Sequence, residues 1–172
     1  MAGEITPAQA KTAIGALGSG AVFALAMAVS ALPGDEGKAN IDYLDIAKVP
    51  TNCFGHTGPD VRVGQYKSDA QCEALLSADA KAHLQGALRC TPGLANRPYQ
   101  LAAVTRLAFN IGVPAYCRST IARRFNAGDL RGGCNGFPAW NKARVNGRLV
   151  VVRGLADRRE RERAQCLTGL SA

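Results

Sequence analysis

The sequence predicts an α+β protein of two lobes, a small β-hairpin lobe and a mainly helical lobe, preceded by an N-terminal apolar helix. Three observations predict it. Residues 13–32 form a run of twenty without a charge. Residues 41–63 are punctuated by Gly and Pro and carry β-branched and aromatic side chains, the pattern of a small antiparallel hairpin sheet. From Ser68 onward, helix start and stop signals recur along the chain. The boundaries that follow are 1–32 for the leading segment and 33–172 for the main domain, with 33–68 as the small lobe and 69–172 as the helical lobe.

The leading segment is long enough to cross a hydrocarbon core of about 30 Å. Ala, Gly and Ser fill so many of its positions that insertion is marginal. Ala16, Gly20, Ala24 and Ala28 make a small-residue stripe suited to close packing against another helix. Two readings stand on these residues alone. One is a signal peptide cleaved at Ala26-Met27-Ala28 or Val29-Ser30-Ala31, with Lys11 ahead of it; the other is a buried helix of a soluble protein. Beyond the hairpin, Ser68-Asp69-Ala70-Gln71 is a capping box that starts a helix running to about Leu88. Asn96 and Pro98 open a second helix that ends before Gly112. Ser119 caps a third, closed by Gly128 as a left-handed terminator. Residues 129–139 and 155–167 complete the helical set.

A chain of 172 residues with 47% hydrophobic content can bury one real core and still carry one membrane segment. The net charge of +8 implies attraction to something acidic, whether nucleic acid, anionic lipid or the acidic polymers of a bacterial envelope. Without zinc-finger spacing, aromatic-basic interleaving or a phosphate-binding glycine loop, nucleic acid is unsupported. The arginines at 153, 158, 159, 161 and 163 read as a solvated helix face balanced by Glu160 and Glu162. Six cysteines at 53, 72, 90, 117, 134 and 166, widely spaced and without Cys-x-x-Cys, indicate disulfides in an oxidising compartment. Spacing alone leaves all fifteen pairings open.

The chemistry is concentrated just after the apolar run. Glu36 is followed by eight residues, Asp45, five residues and Thr51, then Cys53-Phe54-Gly55-His56-Thr57-Gly58. Glycoside hydrolysis generally uses two carboxyl groups flanking the scissile bond, one to protonate the leaving oxygen and one to activate water or the anomeric carbon. Two acids nine apart are weak support by themselves, since Asp35 and Asp42 share the stretch. With Thr51 and the Gly-His-Thr-Gly turn, however, the constellation resembles the active-site hairpin of the phage-type lysozymes, the endolysins that degrade host cell wall. The resemblance runs to about Leu167. Phe109-Asn110-Ile111-Gly112 is similar to the family's Phe-Asn-x-Gly, Ser119-Thr120-Ile121 to its Ser-Thr-Leu, and Asn126-Ala127-Gly128-Asp129 to its Asn-x-Gly-Asp. Trp140, Gly154-Leu155, Arg158-Arg159-Glu160 and Glu162 resemble its C-terminal run. Residues 144–153 depart from the pattern, being a few longer than the Gly-Gly-containing loop expected there.

This resemblance implies hydrolysis, with inversion, of the β-1,4 bond between N-acetylmuramic acid and N-acetylglucosamine in peptidoglycan. It gives Glu36 the role of general acid in a poorly solvated setting, and Asp45 with Thr51 that of positioning the attacking water. Phe54, Gly55, Thr57, Phe109, Asn110 and Ser119 become sugar-contact candidates by position, in a cleft between the lobes. His56 reads as a structural histidine hydrogen-bonded within the small lobe, and Trp140 and Phe109 as core residues. No metal or cofactor is required. The family-like fold pairs Cys53 with Cys72, Cys90 with Cys117, and Cys134 with Cys166. It also offers a third reading of the leading segment, a signal-anchor-release element that directs export, tethers the enzyme to the host inner membrane through residues 13–32 in an inactive form, and later slips out to leave a periplasmic monomer. That segment holds no Cys, so the resemblance implies control by helix extraction and not by thiol exchange. Two other functions are weighed against it. A lytic transglycosylase needs a catalytic Glu but no water-positioning Asp; a non-catalytic wall-binding membrane protein needs neither acid.

Overall fold

The computed structural model describes residues 17–45, 48–145 and 147–170. Of the predicted apolar span, residues 13–16 lie outside them, including Ala16 of the stripe. Helix α1 (Ser19–Asp35) buries Ala21, Ala24, Ala28 and Leu32 at three- and four-residue steps. Small residues on this face let backbone approach backbone: a Cβ at Gly20 would lie 3.0 Å from the Ala95 carbonyl oxygen. Pro33 and Gly34, which read as the end of the apolar helix, sit inside its last turn, so α1 delivers the chain directly to Glu36. Among the described residues no helix is long and apolar enough to cross a membrane. In this structure α1 is a core element, packed on the two long helices that follow the hairpin.

The small lobe is an antiparallel pair, β1 (Ala39–Leu44) and β2 (Pro50–Cys53), with Tyr43 opposite Thr51 and Leu44 opposite Pro50. Asp42 organises it. Its buried carboxylate accepts from Asn52 Nδ2 and from the Arg62 amide, each at 2.8 Å, and its own amide donates to Gln65. Helix α2 (Asp69–Cys90) starts at the capping box as expected, with Ser68 and Gln71 satisfying each other's backbone amides.

Helix α3 (Pro98–Ile111) is the centre of the helical lobe. Every residue from 100 to 108 is buried, because α1, α2 and the C-terminal helix all pack around it. After α3 come short helices α4 (Val113–Cys117), α5 (Thr120–Asn126) and α6 (Leu130–Cys134), then a 3-10 turn (Phe137–Trp140). The single helix expected over 129–139 is thus two short pieces; Gly133 and Gly136 fit there against Phe125 and Ile121, where a Cβ would collide. A second hairpin, β3 (Lys142–Val145) and β4 (Arg148–Val151), stands where a long loop was expected, and α7 (Arg153–Leu167) closes the chain.

Two apolar clusters hold this arrangement, and α1 contributes to both. The larger joins Ala21 and Ala24 to Leu84, Leu101, Val104, Leu107, Tyr116, Ile121, Phe125 and Phe137. The smaller joins Leu32 to Cys53, Phe54, Cys72, Leu76 and Ala80, fixing the small lobe to α1 and α2. Disulfides Cys53–Cys72, Cys90–Cys117 and Cys134–Cys166 form as the resemblance implied.

Candidate active site

Glu36 stands at the C-terminal cap of α1, its amide bonded to the Leu32 carbonyl, where the helical body passes into the β1–β2 hairpin. Its Oε1 accepts a 2.6 Å hydrogen bond from Arg158 Nη1 of α7. The poorly solvated setting expected for this acid is not what surrounds it: its side chain is 22% exposed and ion-paired. The buried carboxylate is the preceding one. Asp35 accepts from Arg106 Nε at 2.9 Å and Nη2 at 2.6 Å on one oxygen, and from Arg161 Nη2 at 2.9 Å on the other. Burial pushes its carboxyl up, but the bonds from Arg161 and Arg106 and the charges of Arg106 and Arg158 outweigh that and hold it below the usual carboxylate range.

Three of the residues read as a solvated face of α7 are therefore interior: Arg158, Arg159 and Glu162 are almost fully buried. Their long stems pack while their heads pair. Arg159 and Arg158 both bond Glu162 Oε1, at 2.9 and 3.2 Å. Burial pushes the Glu162 carboxyl up against the pull of Arg159, Arg158 and Arg106. On Arg158, desolvation is outweighed by Glu36, Glu162 and Asp35, which raise its hold on the proton. The cluster locks the end of α1 to α3 and α7, and so fixes where Glu36 stands.

Asp45 and Thr51 belong to the hairpin that Glu36 opens, and both engage Val49. Asp45 Oδ1 accepts from the Val49 amide at 2.8 Å, while Thr51 Oγ1 donates to the Val49 carbonyl at 3.0 Å. Thr51 is buried and Asp45 half-buried. Since the Thr51 proton goes to Val49, its oxygen lone pairs are what it can offer to a water. Cys53 (φ +51°) and Gly55 (φ +85°) turn the chain sharply after β2, with both the Gly55 and His56 amides donating to the Asn52 carbonyl. Gly55 and Thr57 are exposed on this turn, whereas Phe54 belongs to the smaller apolar cluster. His56 is bonded within the small lobe, Nε2 meeting Asp60 at 3.3 Å, and also beyond it, Nδ1 meeting Asp79 of α2 at 2.7 Å. Burial lowers its basicity, and the bonds to Asp79 and Asp60 more than restore it, so its pKa is raised.

At the end of α3, Phe109 is half-buried beside the His83 ring and Asn110 is exposed. The Ser119 hydroxyl is spent on capping α5, accepting from the Ala122 amide at 3.1 Å, and the residue is 5% exposed. Trp140 packs at the edge of the larger cluster. An open cavity of about 420 Å³ bounded by Arg97, Asp129, Leu130 and Arg131 touches none of the proposed catalytic groups. Among the described residues no group of three or more His, Cys, Asp or Glu side chains is disposed to hold a metal ion.

A hairpin lobe on a helical body, with a carboxylate fixed at their junction, defines a lysozyme-type glycoside hydrolase. The Phage lysozyme family model matches residues 34–162, and the chain belongs to that family. It is 32% identical over 174 residues to the SAR-endolysin of Enterobacteria phage P21, covering 95% of this chain and 98% of the relative. It superposes on the active form of the P1 phage endolysin Lyz with a TM-score of 0.70 at 27% identity, covering 91% and 98% of the two chains. The secreted inactive form of Lyz shares the fold with a TM-score of 0.54 at 23% identity, over 91% and 98%.

Proposed function

We propose that this chain is an endolysin muramidase, cutting the β-1,4 bond between N-acetylmuramic acid and N-acetylglucosamine in host peptidoglycan, with Glu36 as general acid and Asp45 with Thr51 holding the attacking water. One observation carries the reading: Glu36 is held at the junction of the two lobes by Arg158, and the hairpin it opens supplies Asp45 and Thr51 within one turn. In this mechanism Glu36 gives its proton to the leaving glycosidic oxygen. Asp45 orients and deprotonates the water on the opposite face of the sugar, with Thr51 accepting a hydrogen bond from that water, so the anomeric carbon inverts. The exposed backbone of Gly55 and the side chains of Thr57 and Asn110 supply sugar contacts, and Phe54, Phe109 and Ser119 shape the cleft wall behind them. The active species is a monomer.

Residues 1–32 act in this proposal as a signal-anchor-release element. While α1 lies in the inner membrane, Asp35 cannot reach Arg106 and Arg161, nor Glu36 reach Arg158. After extraction into the periplasm, Ala21, Ala24, Ala28 and Leu32 dock in the core and the acid is set in place.

The test is mass spectrometry of fragments released from purified peptidoglycan by the protein and by Glu36→Gln. Reducing-end muramic acid from the unsubstituted protein alone is the expected result. Anhydro-muramic ends would make it a transglycosylase, and fragments from Glu36→Gln at an undiminished rate would remove the acid assignment.

A further inference from the structure

The β3–β4 hairpin has no part in the chemistry above. Its two strands pack mainly on each other, and the Val152 amide bonded to the Asn141 carbonyl closes its base against the body. Four aliphatic side chains stand in water along it: Val145 at 48% exposure, Leu149 at 63%, Val150 at 40% and Val151 at 58%. A two-stranded hairpin gains little stability in water by itself, so a projecting one with uncovered aliphatic residues is shaped for a partner.

Charge decides which partner. From Leu130 to Ala156 the chain carries five basic residues (Arg131, Lys142, Arg144, Arg148 and Arg153) and no acid. The register places Lys142 opposite Val151 and Arg144 opposite Leu149, so one face of the hairpin bears two cations beside its two most exposed aliphatic groups. Neither strand holds an aromatic ring or a carboxylate, the groups that usually grip a sugar by its face and its hydroxyls. An acidic wall polymer would answer the cations and leave Leu149 and Val151 in water. A phospholipid surface answers both, with headgroups for Lys142 and Arg144 and the acyl boundary for the aliphatic side chains.

We propose that the hairpin of residues 142–151 is a peripheral docking device for anionic bilayer surfaces, seating Leu149 and Val151 below the headgroups while Lys142 and Arg144 pair with phosphate. The device is separate from α1, which buries Ala21, Ala24, Ala28 and Leu32 in the core and leaves Val22 and Phe23 exposed, and it holds the folded protein at the membrane without spanning it. It does not depend on the roles given to Glu36 and Asp45.

The full-length folded protein is mixed with preformed vesicles of phosphatidylglycerol and phosphatidylethanolamine, or of phosphatidylcholine, and binding is read by co-sedimentation and by the emission of Trp140, the single tryptophan, next to the hairpin. Leu149→Ser with Val151→Ser and, separately, Lys142→Gln with Arg144→Gln are compared, with circular dichroism and thermal unfolding checking that both variants are folded. Expected is binding to the anionic vesicles alone, a blue shift of Trp140, a loss of affinity of at least about tenfold in the serine variant, and about fivefold per cation removed at low salt. Peptidoglycan turnover in solution is unchanged in both. Vesicle binding that survives the serine substitutions would overturn the proposal, assigning adsorption to net charge or to α1. So would absence of binding, or a fall in peptidoglycan turnover with vesicle binding intact, which would make the hairpin a glycan contact.

Discussion

Asp35→Asn is the substitution that most directly probes how Glu36 is placed. The side chain is 2% exposed and bonded to two arginines, with a third, Arg158, at 3.8 Å. Asn keeps the shape but removes the charge and turns an amide N–H₂ toward guanidinium donors. Removing one partner of a buried pair costs about 3–5 kcal/mol, because the opposite charge stays buried without compensation. For a domain of this size each kcal/mol lowers Tm by about 2–4 °C, so the variant should melt roughly 6–20 °C lower. The pH dependence carries the sign. Since the folded-state pKa of Asp35 is depressed, its contribution is full above the ordinary carboxylate value, about 3.9, and is lost as pH falls through the lower folded value. The gap between the two proteins should hold from pH 8 to about pH 5 and close only in stronger acid. Thermal unfolding from pH 3 to 8, with peptidoglycan turnover on the same samples, reads both. Turnover should fall with stability, since the same cluster carries Arg158 to Glu36. A Tm change below about 3 °C, or a gap that does not narrow in acid, would refute the reasoning.

Three further outcomes follow from named contacts. Asp45→Asn should lower kcat on peptidoglycan by roughly 10²- to 10⁴-fold, the usual worth of a general base; its unfolding curve should barely move, because Oδ1 can still accept from Val49. His56→Ala should destabilise by about 1–3 kcal/mol in weak acid, mostly through Asp79, since Asp60 is half exposed. Because the His56 pKa is raised, that advantage is complete below about pH 6.5 and lost as pH rises through the folded value, so urea midpoints of the two proteins should converge at alkaline pH. Cys134→Ser with Cys166→Ser should cost about 2–5 kcal/mol in urea unfolding, since it frees α7 from α6.

Much of the architecture was legible because local chemistry agreed with tertiary packing. The Ser68–Gln71 box, Pro98 at the start of α3 and Gly128 (φ +80°) after α5 each mark an end that satisfies its own backbone, wherever the helix packs. The second hairpin was legible as well: Asn146-Gly147 between alternating aliphatic and basic residues is a strong two-residue turn signal, and Gly147 has φ +78°. The buried arginines are a different matter. No periodicity announces that Arg158 and Arg159 are interior, since charged residues on a terminal helix are usually solvated. The indirect signal was Cys166: a disulfide-bonded cysteine faces inward, and Glu162, Arg159 and Arg158 lie four, seven and eight residues before it on the same face of α7. Asp35, set beside Glu36 in the sequence, read as a dilution of the catalytic pair and is the counter-ion that positions it.

The end of α1 joins two interactions of different character. Burying three alanine methyls and one leucine side chain contributes about 4–5 kcal/mol on transfer values, without fixing the helix's rotation. The Asp35 cluster adds directional bonds that hold at one depth and one rotation only, their attraction largely offset by the desolvation of the buried charges. The first makes docking favourable, and the second makes it specific. Because Asp35 and Glu36 are consecutive, the geometry that aims one carboxylate inward at Arg106 and Arg161 turns the next toward Arg158 and solvent. Under the proposed release from the membrane, a weakly apolar helix suits both settings: Ala-rich faces bind a bilayer poorly, yet they fit close to backbone in a core, where a Leu-rich anchor would not fit. Placement of Glu36 thus follows from docking α1, and the proposed release mechanism requires that an enzyme whose α1 lies elsewhere lack a positioned acid even when the rest of its fold is complete.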